Sequence, residues 1–188
     1  TGTGIPMGPD DVLVVQIHYN LTEETGTDST TVRIKYADQV ERPAVQALWD
    51  PFLYSSVFGA PESLAPGQPS VKYAWNDSIA TMMSFGGDVE QTTGPVEVWG
   101  FLPHMHKRGR NMMIELETGG AKSCAADVDR YDFAWQTAYF LEQPLQADLA
   151  DKMYVTCDWD TRGDTEPVMP GFNTANEMCL IGIYAVPL

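Results

Sequence analysis

The sequence predicts an all-β protein, an antiparallel β-sandwich of the jelly-roll type. Runs rich in Val, Ile and aromatic residues recur along the 188 residues. Gly and Pro punctuate those runs at roughly the spacing expected between the strands of a sandwich or jelly roll. No stretch reads as a βαβ unit or a Gly-rich phosphate loop.

Residues 12–19 (VLVVQIHY) read as a Val- and Ile-rich strand, and 31–36 (TVRIKY) as a half-buried one that alternates polar with apolar. The polar run 20–29 would join them as a long-looped hairpin. Residues 41–70 carry Pro43, Pro51, Pro61, Pro66 and Pro69, so extended or irregular structure is expected there. Further strands are predicted at 78–84, 95–106, 111–118, 152–159 and 178–186. Between 121 and 142 the aromatic spacing Tyr131, Phe133, Trp135 favours a strand, with short helical turns as the alternative. A domain boundary is expected near 38–46. It separates residues 1–40 from a main domain at 41–188.

Composition narrows the partners. Eleven Lys and Arg against 26 Asp and Glu leave a formal charge of -15. That argues against a nucleic-acid backbone or a polybasic membrane contact. No run is long and apolar enough to span a membrane as a helix. The turn-rich start TGTGIPMGPDD leads straight into a strand-like stretch, as expected of a mature or excised chain. The low Lys and high Asp content fits an extracytoplasmic, secreted or periplasmic, setting.

Only three His and three Cys are present, so any metal chemistry draws on few residues. His104 and His106 form an H-x-H pair in VEVWGFLPHMHKRGR. In a strand, residues i and i+2 share a face, so two imidazoles would converge. Imidazole suits Cu, Zn, Fe and Ni. Pro103 places the pair near a strand end or edge. The competing reading is a solvent-facing pair beside Lys107, Arg108 and Arg110. His18, the other His, lies in an apolar strand, where a lone His more often reads as a structural or hydrogen-bonded core residue. Among soft donors, Met178 opens the last strand, whereas Met105 would point away from a site formed by its neighbours. The remaining Met read as core or loop residues.

Cys157 and Cys179 fall in two predicted neighbouring strands. A disulfide between them would stabilise by about 3 kcal/mol through chain entropy; two buried thiols are the alternative. Cys124 is then the odd one, either buried or bonded outside this chain. Asp158, Asp160, Asp164 and Glu166 read as a solvated loop, with a Ca²⁺ site as the lesser alternative.

Four segments in order carry a resemblance: VVQIHYN at 14–20, PHMHKRGR at 103–110, CDWDT at 157–161 and NEMC at 176–179. Together they resemble the copper type II ascorbate-dependent monooxygenases, the family of peptidylglycine α-hydroxylating monooxygenase and dopamine β-monooxygenase. Each motif alone is short; the ordered set is specific.

The resemblance implies a function. In that family the catalytic copper is held by two His and one Met, which correspond here to His104, His106 and Met178. A second, electron-supplying copper sits on three His of an N-terminal domain. His18 matches the last of these, and its two partners would precede Thr1. The family disulfide corresponds to Cys157–Cys179. The implied chemistry is hydroxylation of a C–H bond of a small organic substrate by O2, with ascorbate as reductant. The chain would be the C-terminal catalytic domain, inert without its N-terminal partner. An Arg before the His pair, and Asn and Tyr after the Met, hold the substrate carboxylate in peptide-hydroxylating members. Leu102, Leu180 and Gly182 stand at those positions, which argues against a peptidylglycine substrate. The Gly-Arg of HKRGR is closer to the dopamine branch. Two alternatives stand beside the enzyme: a non-catalytic copper-binding β-sandwich for copper storage, sensing or delivery, and a purely structural or adhesion sandwich in which the three donors do not converge.

Overall fold

Side chains that alternate between a dry and a wet face build two sheets here, packed face to face. The computed structural model of the chain describes residues 2–15, 17, 26–57, 63–85 and 93–188. In chain order the elements are β1 (Thr3–Gly4), β2 (Arg42–Pro43), β3 (Val45–Trp49), α1 (Pro51–Val57), β4 (Val71–Ser78), α2 (Ile79–Met83), β5 (Val96–His104), β6 (Gly109–Thr118), β7 (Ala121–Val128), β8 (Tyr139–Ala147), β9 (Lys152–Trp159) and β10 (Leu180–Pro187). One sheet has the order β3-β10-β5-β8 and the other β4-β9-β6-β7. All pairings within both are antiparallel.

The core lies between the sheets. β6 turns Met112, Ile114 and Leu116 inward, and β9 turns Met153, Val155, Cys157 and Trp159. Facing them are Val96, Val98 and Phe101 of β5, and Ile181, Ile183 and Ala185 of β10. At the end near α1, Phe52 packs its ring 5.4 Å from that of Trp159 and 6.0 Å from that of Trp75. Such tilted aromatic pairs stabilise beyond the area they bury. The Cys157–Cys179 disulfide joins β9 of one sheet to the residue before β10 of the other.

The all-β expectation holds, and so do the strands predicted near 95–106, 111–118, 152–159 and 178–186. Other segments differ. Residues 78–84 are not a strand. The strand is Val71–Ser78, and Ser78 caps α2 by accepting a hydrogen bond from Thr81 N at 3.1 Å. Ile79, Met82 and Met83 are buried at i, i+3 and i+4, a helical rather than a two-residue period. Within the Pro-rich 41–70, Pro51 opens α1, where its missing N–H is no loss. Tyr131, Phe133 and Trp135 lie in a loop between β7 and β8. Asp132 forms the turn: its side chain accepts from Ala134 N at 2.8 Å and its carbonyl from Trp135 N at 2.9 Å.

The expected N-terminal hairpin also departs from the reading. Residues 12–15 and 31–36 carry no strand and are exposed, Val12 at 82% and Val14 at 81%. A strand is completed by a partner's backbone, and among the described residues these segments find none. Residues 18–25, with His18, lie outside the described residues. Thr3–Gly4 does join the sandwich: it pairs in parallel with Arg42–Pro43, and Thr3 meets the Tyr184 hydroxyl at 3.0 Å. Arg42 in turn pairs with Glu97 of β5.

Asp50 ties α1 to the sheet end. Its Oδ1 accepts from Leu53 N at 3.0 Å, as a helix cap does, and from Cys179 N at 3.3 Å. Its Oδ2 is buried and has no hydrogen-bond partner among the described residues. Burial pushes its pKa from 3.8 up to about 6, against the lowering effect of the backbone N–H groups and of His106.

Two outcomes are expected. The folded state holds the Asp50 proton more tightly than the unfolded chain, so this contribution to stability is fully present below the unfolded pKa. It is lost as pH rises towards about 6, by about 3 kcal/mol. Asp50→Asn keeps the Oδ1 acceptor and cannot ionise, so urea unfolding should show the variant gaining on the wild type by about that amount between about pH 4 and pH 7. A constant difference across that range would refute the assignment. Separately, a Cβ at Gly100 would lie 2.9 Å from the Tyr139 carbonyl oxygen and 2.9 Å from Phe140 Cδ1. Gly100→Ala should therefore cost about 1–3 kcal/mol of unfolding free energy by overpacking. Gly94→Ala, whose nearest contact is 3.6 Å away, serves as the control with little change.

Candidate metal centre

The ladder between β5 and β10 ends where the chemistry-bearing residues begin. Leu180 is the register partner of His104, and Ile181 of Pro103. Met178 lies two residues before the first residue of β10 in that ladder, and His106 two residues after the last of β5. The strands stop there because side chains and turn residues replace the ladder. Pro170–Glu177 forms an isolated bridge, and His106 accepts the Gly109 N–H at its carbonyl, 3.1 Å away, to turn the chain into β6.

The H-x-H tripeptide is held from several sides. Met105 is fully buried and points into the core, away from its neighbours, as the alternation required. The Tyr131 hydroxyl clamps its backbone, accepting from Met105 N at 3.0 Å and donating to Met105 O at 2.6 Å. Burial pushes the Tyr131 pKa up to about 12, so the hydroxyl keeps the proton that this clamp uses. The His104 and His106 ring centroids are 5.2 Å apart, with the ring planes at 86°. Phe133 meets the His106 ring edge-on at 6.1 Å.

Each imidazole engages a partner through Nδ1. His106 Nδ1 lies 3.0 Å from the Asn176 carbonyl oxygen, which can only accept. His104 Nδ1 lies 2.7 Å from Gln136 Oε1. The Gln136 amide is oriented by its own donation to the Phe133 carbonyl at 2.8 Å, so its oxygen faces the ring. With both Nδ1 atoms protonated, the ring lone pairs are on Nε2. This is the arrangement by which an outer hydrogen bond fixes the tautomer of a ligating imidazole.

Glu177 joins the two segments. It is fully buried, its Oε2 accepting from His106 N at 2.9 Å and from the Trp159 indole N–H at 3.1 Å. Its Oε1 accepts from Arg108 N at 2.8 Å, with Arg108 Nη1 at 3.9 Å. Burial raises its pKa, while the two backbone N–H groups and the Arg108 charge oppose that. Arg108 spreads further, gripping Asp164 through two hydrogen bonds of 2.7 and 2.6 Å and donating to the Ala175 carbonyl at 2.9 Å.

The sequence-predicted residues are thus distributed as follows. His104 and His106 come together. Met178 is buried on the segment that faces His106, between Glu177 and the disulfide-bonded Cys179. The Cys157–Cys179 pairing is present, with Cα atoms 6.1 Å apart. Cys124 is a free, exposed thiol on β7, neither buried nor paired among the described residues. The acidic residues of 158–164 are taken up by other partners: Asp158 by Ser70, Asp160 by Arg162 and Asp164 by Arg108. Among the described residues no three His, Cys, Asp or Glu side chains are grouped to hold a metal.

Glu177, Asp50, Tyr131 and Gln136 were not singled out from sequence as parts of the site. For Asp50 a signal existed: an Asp directly before a Pro reads as a helix cap. Glu177 differs from the other acidic residues only by its place in Glu-Met-Cys.

Comparison with known proteins bears on this site. Residues 83–186 match the family of the copper type II ascorbate-dependent monooxygenase, C-terminal domain. The chain is 27% identical over 195 residues to the human putative DBH-like monooxygenase protein 2, covering 98% of the chain and 36% of that protein. It is 25% identical over 187 residues to the human DBH-like monooxygenase protein 1, and 26% identical to its Gallus gallus counterpart, each covering 98% of the chain and 29% of the relative. The chain thus spans about a third of the length of these relatives. The match covers β5 through most of β10, the strands that carry the His pair and frame the Met178 segment, and the chain belongs to the copper type II ascorbate-dependent monooxygenase C-terminal domain family.

Proposed function

We propose that this chain is the catalytic copper domain of a monooxygenase that hydroxylates a C–H bond of a small organic substrate with O2 and a reductant such as ascorbate. The copper ligands are His104, His106 and Met178. The observation that supports this reading is the paired orientation of the two imidazoles, each engaged at Nδ1, beside the segment that carries Met178, whose Asn176 and Glu177 bond to His106. The donor chemistry fits: imidazole is borderline and thioether soft, so the set favours Cu(I) over hard cations. Bound there, copper would supply the one-electron and O2 chemistry of the hydroxylation.

The chain's own residues do the rest of the work. The Asn176 carbonyl and Gln136 hold the two rings in one tautomer, and the Tyr131 clamp keeps them at fixed spacing. Leu102 and Leu180 border His104 on its sheet face and offer no charged or hydrogen-bonding side chain to a substrate carboxylate. The same is true of Gly182, so this reading has no peptidylglycine substrate.

The other parts of the reading extend beyond the described residues. His18 belongs to a second copper site whose other ligands lie on an N-terminal copper domain, and residues 1–40 are the end of that domain. The exposed apolar residues of 12–15 and 31–36 support this, since they match a strand pattern and have no strand partner among the described residues. The two sheets would wind as a jelly roll. The disulfide fits a secreted or periplasmic protein. No helix among the described residues is long and apolar enough to cross a membrane.

Anaerobic Cu(I) titration of the full-length protein with X-ray absorption tests the assignment. A site with mixed nitrogen and sulfur ligation is expected, and Met178→Ala should remove the sulfur scatterer and abolish substrate hydroxylation. Copper bound with nitrogen and oxygen ligands alone would refute it. Copper bound with sulfur, but with no O2 consumption under ascorbate, would favour storage or delivery of copper instead.

A further inference from the structure

Two loops must meet for the three donors to share one centre, and one side chain spans both. Glu177 precedes Met178 directly, and its carboxylate reaches across to the backbone N–H groups of His106 and Arg108 and to the indole N–H of Trp159. We propose that Glu177 is the positioning residue of the copper centre: its carboxylate locks the Met178 segment to the His106 backbone, so that thioether and imidazoles are held at one spacing. The proposal rests on the His104, His106 and Met178 reading.

The geometry fits this role better than a general packing role. Both carboxylate oxygens are used, and every partner is a donor. One oxygen takes His106 and Trp159, the other Arg108. Three N–H groups from the turn after β5 and from β9 thereby converge on the residue beside the proposed ligand. The flanks of Met178 are then fixed on both sides, by this carboxylate at 177 and by the disulfide and the Asp50 contact at 179. The Met105 backbone on the other loop is fixed by Tyr131. A Gln at 177 has the same size but only one accepting oxygen. Its NH2 would confront either the Arg108 N–H or the N–H pair of His106 and Trp159, donor against donor. An Asp keeps both oxygens and the charge but is one methylene short of the reach.

The test uses Cu(I) as the probe on the full-length protein, with Glu177→Gln and Glu177→Asp beside the wild type. Chelator competition reads affinity, X-ray absorption reads the sulfur scatterer, and circular dichroism with thiol counting reads the fold and the disulfide. Glu177→Gln is expected to weaken Cu(I) binding about 10–100-fold, as loss of an outer-shell partner does. It should also lose the sulfur scatterer while the fold and the disulfide persist. Glu177→Asp should fall between. A purely structural role would lower the melting temperature and leave affinity and sulfur signature unchanged in the folded protein; that result overturns the proposal while the three-ligand reading stands. Should Glu177→Gln fail to fold, Glu177→Asp decides on the same two readouts. If neither variant folds, Glu177 serves folding alone and the proposal is overturned. A wild type that binds Cu(I) without sulfur overturns both.

Discussion

A carboxylate with no access to water must find donors, and at Glu177 the donors it finds organise one end of the sandwich. Its partners are the His106 and Arg108 backbone, just after β5, and the Trp159 indole at the end of β9. The strands β5 and β9 belong to opposite sheets, so the interaction crosses the core at its open end. The penalty for burying such a group is offset only when its hydrogen bonds are made. Breaking any one of them leaves either a buried charge or a buried N–H without compensation. That asymmetry is what makes the arrangement of the two loops rigid rather than merely compact.

The disulfide and Asp50 support the same end from other directions. Cys179 is bonded covalently to Cys157, whose strand also carries Trp159, and its N–H is held by the Asp50 carboxylate. Asp50 is itself the cap of α1, and Phe52 in that helix packs on Trp159. Trp159, Phe52, Asp50, Cys179 and Glu177 therefore form a closed circuit of contacts around the segment that carries Met178. No link in this circuit is exposed enough for water to substitute for it. Met178 sits among fixed neighbours on both sides in the chain and inherits their position.

Much of the fold could be read along the chain because its central strands are strongly patterned. In 152–159 the inward Met153, Val155 and Cys157 alternate with outward residues, and 111–118 repeats this with Met112, Ile114 and Leu116. Where periodicity was short, the reading failed. The run Ile79-Ala80-Thr81-Met82-Met83 is too brief to separate a helical from a strand pattern, and only the Ser78 cap decides it. Tyr131, Phe133 and Trp135 imitate a strand by spacing, but Asp132 between them makes a turn. The aromatics there serve separate tasks, such as the Tyr131 clamp on Met105. The His pair was visible because H-x-H is rare in a chain with three His. Glu177 was not, since a buried carboxylate looks like any other among 26 acidic residues until its donors are placed around it.

The face beside His104 has a physical logic of its own. Leu180 pairs with His104 in register and Gly182 with Leu102, so these residues lie side by side on the outer face of the β3-β10-β5-β8 sheet. A Cβ at position 182 would come within 2.9 Å of Leu102 Cβ and 3.2 Å of Leu48 Cδ2. The leucines thus occupy the space that a side chain at 182 would need. A large hydroxyl- or amide-bearing residue there would require the leucines to recede. Positions 48, 102 and 182 therefore act as one packing unit: a side chain at 182 would take coordinated changes at 48 and 102, not a single exchange.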